Sequence, residues 1–290
     1  MSSKSVLVTG ANSGIGLVTA LELAGAGYDV VGSVRSAAKA DLVQKAASDK
    51  GVSLRTVELD VNDEASCAKG MAKVRTMTGG GPWALVNNAG FTQSGAVEDV
   101  SDELARAQLE TNVVAPIRLA RLVLPTMRAA GGGRIVNVSS VAGRLSTPLM
   151  GWYCASKHAL EAVTDSLRVE VEADGVRVIL VEPGMFGTDI WSSAKEGGFP
   201  EATQPRYAAA YARAEAVSAR GADKLPDPVW VARTIRVALS NPVPMARYVV
   251  GADAVGGILA ETVMPTVVTD YVKSVGAGLR RLPVKLPFLG

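Results

Sequence analysis

Short apolar runs rich in β-branched residues recur through the first two thirds of the chain, each followed by a longer stretch with apolar positions at helical spacing. The runs at 5–9, 29–34, 53–59, 83–87, 134–138, 177–181 and 247–250 predict seven strands. Most are continuously apolar rather than alternating, the pattern of strands covered by helices on both faces. Between them, 15–26, 37–49, 64–77, 102–130 and 153–173 predict helices. Strict alternation of strand and helix predicts an α/β fold, a doubly wound and mostly parallel seven-stranded sheet, with no domain boundary or repeat across 1–290. After Pro183 the pattern loosens. Segment 191–225 is rich in Ala, Gly and charge, with a helical piece at 207–219 between two loops, and reads as a substrate lid or as a solvated surface helix. A further helix is predicted at 228–240, and 252–290 forms a C-terminal extension. Its last part, Leu279-Arg280-Arg281-Leu282-Pro283-Val284-Lys285-Leu286-Pro287-Phe288, mixes basic and apolar residues, a composition that can pack, stay disordered or lie on a membrane surface.

Composition narrows the function classes. Of 290 residues 48% are hydrophobic, yet no charge-free apolar run approaches the ~20 residues that span a bilayer, so no integral membrane segment is expected. Val6-Leu7-Val8 is too short for a signal-peptide core and leads into a glycine turn, so it reads as a strand and a cytoplasmic location follows by default. Thirty basic against twenty-eight acidic side chains give a net charge of +2, no electrostatic footprint for nucleic acid. Cys67, Cys154 and His158 are the only cysteines and histidine, too few for a Cys/His metal cluster. A hydrolase would have to pair Ser139 or Ser140 with His158, which follows Lys157 and reads as lying on the neighbouring helix face.

Tyr153 and Lys157 stand four apart in Gly151-Trp152-Tyr153-Cys154-Ala155-Ser156-Lys157, a spacing that puts both on one helix face. A phenol has a pKa of roughly 10, and a neighbouring ammonium is expected to lower it, by a useful amount only where water is excluded. Spacing alone also fits a half-buried aromatic beside a snorkelling lysine.

Thr9-Gly10-Ala11-Asn12-Ser13-Gly14-Ile15-Gly16 joins the first predicted strand to the first predicted helix. Glycines there permit a tight turn and let a pyrophosphate approach backbone N–H groups. The spacing departs from the G-x-G-x-x-G fingerprint, so the generic motif does not assign it. With Asn87-Asn88-Ala89-Gly90, Asn112, Ser140, Tyr153, Lys157 and Pro183-Gly184 following in order over 5–190, the chain resembles the short-chain dehydrogenase/reductase family. That resemblance implies a Rossmann-like catalytic domain. It implies that Gly10, Ser13, Ile15 and Gly16 hold the dinucleotide phosphates, that Asp60 and Val61 meet the adenine, that Asn88, Ala89 and Gly90 line the ribose, and that Pro183, Gly184 and Thr188 lie over the nicotinamide. At the end of the second strand an acidic residue would accept a 2′-hydroxyl and repel a 2′-phosphate. Here Val34 stands where NAD-preferring relatives resemble one another in carrying Asp, and Arg35 offers a guanidinium, so NADP(H) is expected.

By the same resemblance Tyr153 exchanges a proton with the reacting oxygen, Lys157 tunes the phenol and binds the nicotinamide ribose, Ser140 hydrogen-bonds the reacting oxygen, and Asn112 supports a water relay to the lysine. Val141, Leu145, Met150, Trp152, Met185, Phe186 and Trp191 are the candidate pocket residues, mostly apolar, and point to a lipophilic alcohol or its ketone or aldehyde. Tyr153-Cys154-Ala155-Ser156-Lys157-His158-Ala159-Leu160-Glu161, with Val181-Glu182-Pro183-Gly184 and Arg247-Tyr248, is similar to the retinol and 17β-hydroxysteroid dehydrogenase branch. A broad carbonyl reductase is the near alternative, and a silent NADP-binding regulator the contrasting one. The family resemblance also implies a homodimer or homotetramer.

Overall fold

The computed structural model describes residues 3–187, 199–219 and 225–280. Seven strands, β1 (Ser5–Val8), β2 (Asp29–Val34), β3 (Arg55–Glu58), β4 (Ala84–Asn87), β5 (Gly133–Val138), β6 (Val176–Pro183) and β7 (Arg247–Val250), form one sheet in the order β3-β2-β1-β4-β5-β6-β7. Every neighbouring pair is parallel. Parallel neighbours need crossover connections, and these are the helices α1 (Gly14–Gly25), α2 (Ala37–Asp49), α3 (Glu64–Thr78), α4 (Asp102–Leu109), α5 (Ala115–Ala129), α6 (Gly151–Glu170), α7 (Pro205–Ala219) and α8 (Val229–Ser240). Beyond β7 follow α9 (Ala252–Val263) and α10 (Thr266–Gly276).

The continuous apolar strands bury both faces. Val6 and Val8 of β1 face a layer with Leu23 of α1, Val43 of α2 and Ile235 of α8, whereas Leu7 faces Met71 of α3 and Leu119, Val123 and Met127 of α5. Successive residues of a strand point to opposite sides, so one Val-Leu-Val run feeds both layers. Local signals set the helix ends. Asp63 caps α3 by accepting from the N–H groups of Ala65 and Ser66, and Gly79 closes it in the left-handed region at φ 68°.

One element departs from the sequence reading. The helix expected at 102–130 is interrupted by a π-helical turn, Glu110–Val114, between α4 and α5. Pro116 explains it: proline has no N–H to give the Asn112 carbonyl four residues earlier, and its ring crowds that carbonyl. The turn widens instead, with the Ala115 N–H reaching back to Glu110. The C-terminal extension carries α9 and α10, separated just before Pro265.

Candidate active site

In the sheet order β1 and β4 are neighbours, and chain direction across the sheet reverses there. A crevice opens beyond the carboxyl ends of strands at such a switch point. The glycine turn lies in it. Gly10 and Gly14 have φ of 64° and 51°, where a side chain is strained. A Cβ on Gly16 would stand 2.2 Å from the Gly10 carbonyl oxygen and 2.4 Å from the Asn88 amide nitrogen, so no other residue fits. Ser13 is the N-cap of α1 but spends no side-chain bond on it, and the first turn carries no acidic residue. The first N–H groups of α1, those of Ile15 and Gly16 among them, are thus left for a phosphate. This cradle fits a dinucleotide, the group expected here.

Thr9, quoted in the motif but given no role by sequence, ties the turn to β4. Its hydroxyl accepts from the backbone N–H groups of Asn88 at 2.9 Å and Ala89 at 3.0 Å, while the Asn88 amide donates to the Thr9 carbonyl at 3.0 Å. Gly90 is exposed at the start of the following loop. At the far end of the crevice Arg35 is exposed just beyond β2, with no ion pair among the described residues. Asp60 follows β3 and accepts from the Asn62 N–H, and Val61 is buried beside it, its carbonyl held by Arg118.

At the other end, α6 brings Tyr153 and Lys157 into the crevice, each 7% exposed. The Lys157 ammonium lies 5.9 Å from the Tyr153 ring centroid and donates to the Val138 carbonyl at 2.9 Å. Ser140 caps the short 3-10 turn Val141–Gly143, accepting from the Ala142 N–H at 3.1 Å, and also hydrogen-bonds the Tyr153 side chain. Asn112 sits in the π turn, 1% exposed. Its amide donates to the Phe91 carbonyl and the Ser156 hydroxyl and accepts from the Phe91 N–H, and Ser156 in turn donates to the Tyr153 carbonyl at 2.7 Å. Asn112 therefore locks the loop after β4 to the helix that carries the phenol.

Electrostatics run against the expected lowering of the phenol. Burial pushes Tyr153 up to about 12, while hydrogen bonds to Ser140 and Thr92 pull it back. Desolvation penalises the phenolate, and without a nearer cation the neutral phenol is the stable form. Burial also lowers Lys157 to about 8, against the opposing charge of Glu161. Thr92 was not singled out from sequence, because nothing in its local pattern places it against a side chain sixty-one residues away.

Gly184 closes β6, donating to the Val250 carbonyl at 2.8 Å, and Asp253 of α9 takes the Met185 N–H at 2.7 Å. Among the pocket candidates Val141, Leu145, Met150 and Trp152 are half-buried and Met185 is 46% exposed. Phe186 differs from the expectation: it is 4% exposed and belongs to the core layer beside β7. Thr188 and Trp191 lie outside the described residues, as do the other residues of 191–198 and 220–224 within 191–225. His158 is exposed on α6, its Nδ1 2.9 Å from the Cys154 carbonyl, whereas Lys157 before it is buried, as expected of neighbouring helix faces. No group of three metal-ligating side chains, and no helix long and apolar enough to cross a membrane, occurs among the described residues.

The family model for short chain dehydrogenases matches residues 4–198, and the chain belongs to that family. It is thus an oxidoreductase of the class that acts on CH–OH groups with a nicotinamide dinucleotide. It is 35% identical over 258 residues to the uncharacterized oxidoreductase YusZ of Bacillus subtilis, covering 87% of this chain and 90% of that protein. It is 36% identical over 199 residues to the NADPH-dependent 3-dehydrocapnine reductase of Ornithobacterium rhinotracheale, covering 67% and 69%. A solved short-chain dehydrogenase from Streptomyces avermitilis superimposes with a TM-score of 0.78 at 32% identity, covering 96% of this chain and 98% of that one.

Proposed function

We propose that the protein is an NADP(H)-dependent reductase of a lipophilic ketone or aldehyde, with Tyr153 donating the proton and the reverse oxidation available to the same site. The observation that carries this reading is the burial of Tyr153 with its phenol bonded to Ser140 and Lys157 one helical turn along. Gly10, Ser13, Ile15 and Gly16 would hold the pyrophosphate, Asp60 and Val61 the adenine side, Asn88, Ala89 and Gly90 the ribose, and Pro183, Gly184 and Thr188 the nicotinamide side. When bound, the dinucleotide supplies or takes the hydride.

The chain's own residues do the remaining work. A phenol pushed up to about 12 keeps its proton at neutral pH, so Tyr153 would meet a carbonyl oxygen in its protonated form. Ser140 fixes that donor and offers a second bond to the reacting oxygen. Lys157 supplies the cation and a donor toward the ribose. Asn112 positions Tyr153 through Ser156, and its carbonyl, to which Pro116 has no N–H to give, would accept a relaying water. Val34 in place of an acid, the Arg35 guanidinium beside it, and a relative named as NADPH-dependent support NADP(H). Half-buried Val141, Leu145 and Met150 and exposed Met185 support a lipophilic substrate.

A panel of aldehydes and ketones followed by NADPH oxidation tests the reading, with Tyr153→Phe as control. Turnover is expected to fall by about 10²–10⁴ in the variant with cofactor binding retained. Near-wild-type turnover would remove Tyr153 from its role.

A further inference from the structure

Directly behind Lys157 lies a buried acidic pair that this mechanism does not use. Glu182, on β6 one residue before Pro183, has a side chain with 0% exposure, and Glu161 of α6 has 7%. Arg247 of β7 approaches both through one nitrogen, its Nε standing 3.1 Å from Glu161 and 3.1 Å from Glu182. That nitrogen has a single hydrogen, and its bond goes to Glu161 Oε2. The Nη2 group of Arg247 is engaged by Asp165, which also takes Arg168 at 2.6 Å. Arg144, from the turn after Ser140, comes only to 3.5 Å of Glu182 Oε2. Three carboxylate oxygens, Glu161 Oε1 and both of Glu182, are therefore buried without a donor among the described residues.

Carboxylate oxygens are acceptors only, so two ionised groups cannot satisfy one another. One added proton changes this. It turns an oxygen of one group into a donor to the other, and it removes one of two like charges in a dry site. Oxygens of the two side chains stand 3.1 Å from the same Arg247 nitrogen, which sets the carboxyls side by side, and burial together with the neighbouring Glu161 pushes Glu182 up to about 7.

The pair is coupled to the candidate active site on two sides. Glu161 lies one turn along α6 from Lys157, and its charge opposes the burial that lowers the ammonium. The turn that carries Ser140 rests on the pair: a Cβ on Gly143 would stand 2.9 Å from Glu161 Cγ, 2.9 Å from Ser139 Oγ and 3.2 Å from the Lys157 carbonyl oxygen.

We propose that Glu161 and Glu182 share one proton, and that Glu182 is a positioning residue which, through Glu161, sets the charge on Lys157. Loss of that proton as pH rises places a second negative charge behind Lys157 and holds its ammonium charged to higher pH. The charged groups facing Glu182 are Arg247 from β7, Glu161 from α6 and Arg144 from the turn, and neither cation donates a well-formed bond to it. The proposal rests on Lys157 contacting the dinucleotide, as in the function proposed above.

Glu182→Gln tests it, because the amide copies the protonated acid in shape and donor capacity and fixes the pair at one negative charge. Infrared difference spectra of the cofactor-free protein are expected to show a protonated carboxyl at pH 6 that titrates away by pH 8, absent from Glu182→Gln. Glu161→Gln is expected to lose the same band, which covers a poorly folding Glu182 variant. The alkaline rise in the Kd for NADPH is expected about half a pH unit earlier in Glu182→Gln, roughly a threefold weaker Kd at pH 9. A missing wild-type band, or one that survives both substitutions, overturns the shared proton. Superimposable Kd profiles overturn the link to Lys157. Failure of the Tyr153 reading is seen separately, as Tyr153→Phe with undiminished turnover and an unchanged infrared band.

Discussion

Lys157 is the residue where folding and function pull apart most plainly. Its ordinary pKa of 10.5 is lowered by burial to about 8, so the folded protein resists holding the charge. The difference is worth about 3 kcal/mol. Lys157→Met removes that penalty but leaves the Val138 carbonyl without its donor, an offsetting cost of about 1–2 kcal/mol. The cofactor-free variant is therefore expected to be more stable than wild type by about 1–2 kcal/mol at pH 7, measured by chemical denaturation. The sign with pH follows from the lowered value. Between about 8 and 10.5 the unfolded chain keeps the lysine proton that the folded chain has released, so wild-type stability rises through that window and the variant's advantage shrinks. NADPH binding should move the opposite way, weakened in the variant at pH 7 and weakening in wild type above about 8. A variant less stable than wild type at pH 7 would mean that the buried ammonium is compensated by more than Glu161 and the Val138 carbonyl.

Among the elements, α7 is the described part of the expected lid, and Tyr211 is the residue that ties it to the loop after β4. Tyr211 is buried, its hydroxyl accepting from the Ala96 N–H at 2.7 Å and donating to Asp99, while its ring stacks on Phe199 with centroids 4.4 Å apart. The anchored loop is bonded to the turn that enters α6: the Gly95 N–H donates at 2.8 Å to Leu149, a non-glycine residue held at φ 66°. Such a conformation persists only where neighbours enforce it. Tyr211→Phe leaves the ring in place but strips the buried Ala96 N–H of its acceptor, a loss of about 1–3 kcal/mol. It is expected to raise substrate KM by about tenfold, with kcat and NADPH affinity changed less than twofold in steady-state kinetics. An equal fall in kcat would place α7 in the chemistry rather than over the pocket. The helix itself was legible as an Ala-rich stretch at 207–219, but the contact with Asp99, 112 residues away, has no local signature. The same divide runs through the candidate site. Strand runs and helix periods placed the glycine turn, Tyr153 and Lys157 correctly because those features are local. Thr9, Thr92 and the Glu161–Glu182 pair act across the sheet, and only the π turn among the surprises had a visible cause, Pro116 four residues after Asn112.

For the whole molecule, the dinucleotide cradle is where separate layers meet. The turn after β1 is bonded to β4 through Thr9 and to β2 through the Ala11 N–H on the Ser33 carbonyl, so a group seated there braces three adjacent strands at once. A ligand that binds only the folded state adds roughly 2.7 kcal/mol at one hundred times its Kd. Unfolding entropy of roughly 2.1 cal/mol/K per residue makes about 0.6 kcal/mol/K for 290 residues, so saturating NADPH should raise Tm by about 4 °C. Comparing dinucleotides separates the contribution of Arg35. At equal concentration NADH should raise Tm by less, because it lacks the 2′-phosphate that a guanidinium beyond β2 can pair with. Arg35→Asp should reverse the order, repelling the phosphate while accepting the bare 2′-hydroxyl. Scanning calorimetry with each dinucleotide on both proteins reads this directly. A larger shift from NADH in the wild type would show that the open position beyond β2 selects against the phosphate despite its charge.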